Sequence, residues 1–299
     1  MSFIQDLQKI KEMYDRGENV IDYIKGKENQ IENSTEAITI SYDLQAGSYT
    51  EGDKKNPEIK QQYTQALAKV INLLGDYSSI MEAGVGEATT LANLIPKLTI
   101  NPQKIFGFDL SWSRVKYAQA YCKSKSLSNP FLFVGDLFNV PIQDNAIDIV
   151  YTLHSIEPNG GREEEALIEL YRVANKYLVL LEPAYELAGE EARKRMDRLG
   201  YVKGLSATAK KLGFEVVEHR LFDYSVNPLN PTGLTIIKKN LEKSLINIPL
   251  ACPVTKKELT PIRGSYYCQE SMLAYPIIDE IPCLQERNAI VATHYAKGI

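Results

Sequence analysis

The sequence predicts an α/β protein: a seven-stranded, mostly parallel, doubly wound sheet whose last strand runs antiparallel, with a helical N-terminal extension and a small β-rich C-terminal module. Three observations predict it. Short apolar runs alternate with amphipathic helical stretches through the middle of the chain, an order that produces right-handed crossovers and parallel strands. The two final apolar runs, residues 214–221 and 235–238, are joined by a loop holding Asn227, Pro228, Asn230 and Pro231 with no helix between them, which suits an antiparallel hairpin at a sheet edge. Beyond Asn240 the helical period stops, and residues 246–285 read as a compact β-rich unit with Pro253, Pro261, Gly264, Pro276 and Pro282 at its turns.

The elements follow in order. Phe3, Ile4, Leu7, Ile10, Met13, Val20, Ile21 and Ile24 recur near the helical period with a break at Gly17, predicting two short helices. Residues 33–53 are irregular and rich in Gly, Ser and Tyr, predicting a loop or lid, and Pro57 opens a helix to about residue 74. Strands are expected at 79–82, 104–109, 131–135, 147–151 and 177–182. Ser111 is placed to cap the helix holding Val115, and Ala166, Leu167, Leu170, Tyr171 and Val173 form an apolar face over residues 162–174. The 299 residues divide into 1–56, 57–240 and 241–299.

Composition narrows the function. A formal net charge of -4 argues against a whole-protein nucleic-acid footprint, which calls for an excess of Lys and Arg. The longest apolar stretches are too short to cross a bilayer and the N-terminus does not read as a signal peptide, so a cytoplasmic protein without membrane partners is expected. Cys122, Cys252, Cys268 and Cys283 read as thiols rather than a disulfide framework. A homodimer is an open assembly state.

The chemistry concentrates at predicted strand tips. Glu82-Ala83-Gly84-Val85-Gly86 is a strand end running into a glycine turn, where absent Cβ atoms admit a ligand against the backbone. The next strand ends at Asp109, followed by Leu110, a carboxylate positioned for ribose hydroxyls. A dinucleotide site wants a third glycine where Thr89 stands, and Glu82 would face a pyrophosphate. A phosphate-free, cationic nucleoside such as S-adenosylmethionine suits that acidic strand end better.

Gly135-Asp136-Leu137 closes the third strand and the run from Asn145 to Tyr151 carries Asp148-Ile149-Val150. With these four motifs in order, the sequence over roughly 57–240 resembles the class I S-adenosylmethionine-dependent methyltransferases, a Rossmann-like family. The resemblance implies S-adenosylmethionine as cofactor and S-adenosylhomocysteine as product, with Glu82, Gly84 and Gly86 on the methionine moiety, Asp109 on the ribose, Asp136 and Leu137 on the adenine, and Leu110 and Leu153 as further cofactor-binding residues. Ala88 stands where the family often has a further glycine. Tyr42, Asp43 and Tyr49 resemble the family's lid.

Methyl transfer is an in-line displacement, so the protein chiefly aligns the acceptor and excludes water. His154 and Glu157, in the loop leaving the fourth strand, are candidates for a base, with strand capping and loop ordering as their alternative roles. Asn159, Glu182 and Tyr185 are expected to add polar groups to the same cleft, and Asn227 and Asn230 to reach it from the hairpin loop. The expected acceptor is an O or N atom of a polar small molecule such as a sugar or natural-product intermediate.

The run 248–259, then Tyr266-Tyr267-Cys268 and Leu273-Ala274-Tyr275-Pro276-Ile277, resembles the zinc-ribbon-like activator subunit of tRNA and protein methyltransferases. That resemblance implies an RNA or protein acceptor as the alternative reading, docked by this module, with Lys238, Lys239, Lys243, Lys256 and Lys257 as a modest basic face. Cys252-Pro253-Val254-Thr255 lacks the second thiolate of a zinc hook and Cys268 has no near partner in sequence, so no metal is expected and the cysteines are read as packing residues.

Overall fold

A computed structural model describes residues 4–28, 33–239 and 250–295. The first two helices, α1 (Leu7–Asp15) and α2 (Val20–Glu28), flank Gly17 as the apolar spacing predicts, and Ile10, Val20 and Ile24 pack with Ala37 in a small cluster of their own. Residues 33–53 are not an irregular loop. They hold two helices, α3 (Thr35–Leu44), whose N-cap Ser34 accepts from the Ala37 N–H, and α4 (Ser48–Lys55). Ala37, Ile38 and Ser41 are the buried face of α3, a stripe too short and too polar to stand out against the surrounding serines and tyrosines. Pro57 then opens α5 (Pro57–Asn72), as its fixed φ at a first helical position favours.

The large sheet has the order β3-β2-β1-β4-β5-β7-β6. Its strands are β1 (Ser79–Ala83), β2 (Lys104–Asp109), β3 (Phe131–Val134), β4 (Ile147–Leu153), β5 (Ala174–Pro183), β6 (Glu215–Leu221) and β7 (Thr232–Lys238). The pairs among β1 to β5 are parallel, and β7 runs antiparallel to both β5 and β6. This is the Rossmann-like methyltransferase sheet with its reversed strand. Helices α6 (Thr89–Leu94), α7 (Trp112–Ser124), α8 (Glu163–Val173), α9 (Glu190–Leu199) and α10 (Leu205–Lys211) complete the layers. Ser111 caps α7 by accepting from the Arg114 N–H at 3.1 Å.

β1 is buried at every position and β4 at all but its last, which is why both are mostly apolar, with Ser79, Glu82, Asp148 and Thr152 as the polar exceptions. Asp148 lies at the opposite end of β4 from the glycine turn. It accepts from Ser78 N and Oγ at 2.7 and 2.9 Å and from Asn175 Nδ2 at 2.9 Å, stapling β4 to its neighbours rather than serving a ligand.

The C-terminal module is a second sheet of β8 (Thr260–Ile262), β9 (Ser265–Cys268), β10 (Leu273–Ile278), β11 (Ile281–Pro282) and β12 (Ile290–Val291). Pro253 and Gly264 lie in turns, but Pro261, Pro276 and Pro282 sit within strands. The module also pairs onto the outer edge of β3 at its last residue: Cys283 bridges Val134 in parallel and Leu284 N donates to Val134 O at 2.8 Å. Leu250, Cys252, Leu259, Cys268, Tyr275 and Leu284 share one apolar cluster with Met81, Phe106 and Phe133 of the large sheet. Among the described residues no helix is long and apolar enough to cross a membrane.

Candidate active site

Parallel strands deliver the tips of β1, β2, β3 and β4 to one edge of the sheet, and there a cavity of about 740 Å3 opens. Of the residues singled out in the sequence, Tyr42, Tyr49, Glu82, Gly84, Gly86, Asp109, Leu110, Leu137, Leu153, His154, Glu157, Asn159, Asn227 and Asn230 line it. Gly84 has φ +75°, and a Cβ there would stand 2.2 Å from Ser155 Cβ. The post-β4 loop therefore closes down on a bare backbone. Ala88, three residues into the turn region, is itself left-handed at φ +56° and fully buried.

Asp109 accepts from Gly86 N and Ser111 N, each at 3.0 Å, which fixes the carboxylate between the glycine turn and α7. Burial raises its pKa, opposed by the charge of Arg114. Glu82 is 2% exposed and accepts from the Tyr151 hydroxyl at 2.8 Å. Burial pushes its carboxyl up to about 8. Lys60 of α5, which the sequence pattern left as an ordinary helix lysine, lines the same wall and donates to Thr90 Oγ1 at 3.0 Å. Burial lowers its pKa against the pull of Glu82 and Asp53.

α3 and α4 roof the cavity, and two carboxylates pin them. Asp43 accepts from Ser111 Oγ at 2.6 Å and from Ser113 N and Oγ at 3.1 and 3.0 Å. Glu87, fully buried, accepts from Gly47 N, Tyr49 N and Thr50 N at 2.9, 3.2 and 2.7 Å, satisfying donors at the start of α4. Arg114 holds its guanidinium 4.5 Å from the Tyr42 ring centroid and 4.4 Å from that of Tyr49, and its Nε donates to Tyr42 O at 2.8 Å. Neither Glu87 nor Arg114 announced itself in sequence, since each is one charge among many.

His154 and Glu157 meet. His154 Nδ1 bonds Glu157 Oε2, His154 Nε2 lies 2.8 Å from Thr232 Oγ1, and Asn230 Nδ2 donates to Glu157 Oε2 at 3.1 Å. Burial disfavours the imidazolium, but the hydrogen bond and charge of Glu157 outweigh it and raise His154 above its ordinary value. The same pairing lowers Glu157 despite its burial. The polar atoms of cavity-lining residues that are buried without a hydrogen-bond partner include Ser155 Oγ and Asn230 Oδ1.

Three expected residues fall outside the lining. The Asp136 carboxylate turns back to accept from Phe138 N at 2.9 Å, leaving Leu137 and Phe138 to face the cavity. Glu182 accepts from Ser155 N, Ile156 N and Glu157 N at 3.1, 3.2 and 3.0 Å, so it anchors the loop rather than facing an acceptor. Tyr185 bonds Asp197 Oδ2 at 3.2 Å and packs with Ala188 and Met196 on another face.

Residues 80–176 match the family model described as a methyltransferase domain. The chain carries a methyltransferase domain. Magnesium protoporphyrin IX methyltransferase from Synechocystis PCC 6803 with bound SAH aligns over 68% of this chain and 99% of its own at 16% identity and a TM-score of 0.51; the SAM-bound form aligns over 68% and 96% at 16% and 0.48. A SAM-dependent methyltransferase from Aquifex aeolicus aligns over 57% and 87% at 18% and 0.42. At 16% identity and a TM-score of 0.51 the first of these likenesses shows the fold alone.

Outside the methyltransferase domain, the module's zinc-ribbon resemblance meets a different donor set. Cys252 Sγ lies 3.5 Å from Ser271 Oγ, and Thr255 Oγ1 lies 3.6 Å from Cys268 Sγ. Cys252-x-x-Thr255 and Cys268-x-x-Ser271 are matched turns, each followed by a left-handed residue, Lys256 at φ +58° and Met272 at φ +55°. Structural zinc takes four thiolate or imidazole ligands. Two thiols and two neutral hydroxyls do not fit it. The basic face is also spent in part: Lys256 pairs with Glu169 at 2.8 Å, and Lys239 donates to Tyr171 O and Ala174 O at 2.7 and 3.1 Å. Lys243 lies outside the described residues.

Proposed function

We propose that this methyltransferase transfers the methyl group of S-adenosylmethionine to an O or N atom of a polar small molecule, such as a sugar or natural-product intermediate. The observation that carries the polar acceptor is the pair of buried, unpartnered atoms Ser155 Oγ and Asn230 Oδ1 beside His154 and Thr232. A buried polar atom left alone costs about 1–3 kcal/mol, a deficit that a hydroxyl or amine of the acceptor removes.

S-adenosylmethionine supplies a methyl group already activated on a sulfonium. Around it, Glu82 complements the ammonium and Lys60 the carboxylate of the amino-acid end. Asp109, with two backbone donors in place, keeps lone pairs free for ribose hydroxyls. Leu110, Leu137 and Phe138 offer an apolar slot to the adenine. His154 receives the acceptor's proton at Nε2, oriented through Nδ1 by Glu157, and Thr232 holds the position an acceptor hydroxyl takes. The roof of α3 and α4 excludes water. In this reading the extension 1–56 contributes that roof, 57–240 the catalytic domain and 241–299 the module, a boundary that falls outside the described residues.

Calorimetry with S-adenosylmethionine and a metabolite-library turnover assay following S-adenosylhomocysteine test the proposal. Binding that Asp109→Ala weakens many-fold but leaves measurable, with turnover on a hydroxylated or amino metabolite that His154→Ala lowers, is the expected result. No cofactor binding, or turnover confined to RNA or protein, sinks it.

A further inference from the structure

One side chain of the C-terminal module reaches into the back of the cofactor region. Gln285 is 3% exposed, and its Nε2 donates to Leu110 O at 3.1 Å and to Gly135 O at 3.2 Å. Those carbonyls belong to the residues just past Asp109 on β2 and just before Asp136-Leu137 on β3. A single amide thus uses both of its hydrogens to tie together the two neighbouring strand tips that flank the nucleoside half of the cavity. The amide is held in turn: Arg287 Nε donates to Gln285 Oε1 at 2.6 Å, and Arg287 Nη2 donates to Thr39 Oγ1 of roof helix α3 at 3.2 Å. The segment is itself registered on β3 through the Leu284 N to Val134 O bond.

We infer that Gln285 and Arg287 are positioning residues for cofactor binding, through which the C-terminal module sets the spacing of the β2 and β3 tips and ties that spacing to α3. The inference rests on the S-adenosylmethionine reading above. Neither residue touches the cavity, so their effect runs through Leu110, which lines it, and through the turn that presents Leu137. Loss of the amide leaves two carbonyl oxygens facing each other without a donor, and the tips relax apart. The nucleoside half of the site loosens while the amino-acid half, built on β1 and α5, keeps its geometry.

The test uses the full chain. S-adenosylhomocysteine affinity is measured by calorimetry, well below the melting temperature, for wild type, Gln285→Glu, Arg287→Ala, Asp109→Ala and the Gln285→Glu/Asp109→Ala double variant. Gln285→Glu keeps the shape but sets a carboxylate oxygen against two carbonyls, and affinity is expected to fall about tenfold, with a smaller fall for Arg287→Ala. Because Gln285 acts through the tip that carries Asp109, the double variant is expected to bind no worse than Asp109→Ala alone, a coupling that mere loss of stability does not produce. Unchanged affinity in Gln285→Glu and Arg287→Ala, or strictly additive losses in the double variant, overturns the inference while the functional reading stands. A wild-type chain that does not bind S-adenosylhomocysteine overturns both. If Gln285→Glu does not fold, Arg287→Ala, at an exposed position, decides by its affinity alone.

Discussion

His154 sits at φ +51°, a left-handed conformation that costs a non-glycine residue about 1–2 kcal/mol. The bend is what turns its ring between Glu157 and Thr232. With its value raised and that of Glu157 lowered, the pair is charged between the two titrations. Its stabilisation is lost as pH rises through the His154 value and as pH falls through that of Glu157. A proton-accepting His154 therefore needs pH above its raised value. Following its ring protons by NMR from roughly pH 5 to 9 is expected to give a titration above the usual value near 6.5, moved down in Glu157→Gln; a midpoint at or below 6.5 in the wild type contradicts the pairing. Glu82 makes a second prediction. Its carboxyl, pushed up to about 8, is mostly protonated near neutrality. An incoming ammonium favours the ionised form, so binding of S-adenosylmethionine at pH 7 is expected to release a proton, seen as a binding heat that varies with the ionisation heat of the buffer. A heat independent of buffer, or the same dependence in Glu82→Gln, removes that residue from the account.

At the scale of elements, legibility followed the source of each element's stability. The central strands showed in the sequence because full burial forces mostly apolar runs, and the tips were legible because Gly84 and Asp109 sit where strand ends must fall. α3 and α4 were not legible. Their helices are held by Asp43 on Ser111 and Ser113 and by Glu87 on Gly47, Tyr49 and Thr50, bonds between segments 37 to 70 residues apart that local propensity does not contain. Lys60 and Arg114 were hidden for a related reason: a charge on a helix reads as solvated until tertiary structure turns it inward. Cys268 and Ser271 escaped because a hydroxyl in place of a thiol leaves no pattern, although the two turns place sulfur and oxygen 3.5 and 3.6 Å apart. That spacing is about the edge of a tetrahedron with metal-ligand bonds of 2.0–2.3 Å. Thr255→Cys/Ser271→Cys is accordingly expected to acquire one zinc per chain by elemental analysis, with a cobalt-substituted form showing tetrahedral absorption; a double variant carrying no more metal than wild type refutes the matched-turn geometry.

Over the whole molecule, the module and the large sheet share one apolar cluster. A chain ending after Lys239 would bare the partners of Leu250, Leu259, Tyr275 and Leu284, and each such side chain contributes about 1.5–3 kcal/mol when buried. That shortened chain is expected to bind a hydrophobic dye and to precipitate, and a soluble, dye-silent product with a sharp thermal transition would show instead that residues 1–239 stand without the module.

The tail takes up the end of the β3 border at Val134, and β6 is the opposite border of the large sheet. That rim is irregular, with a bulge between Val216 and Glu218, and it carries the Glu218–Arg220 ion pair, features that discourage strand-to-strand sticking. Sheet extension at that border would lie on the side of the large sheet opposite the β2 and β3 tips, next to the strand whose following loop, through Asn227 and Asn230, lines the cavity.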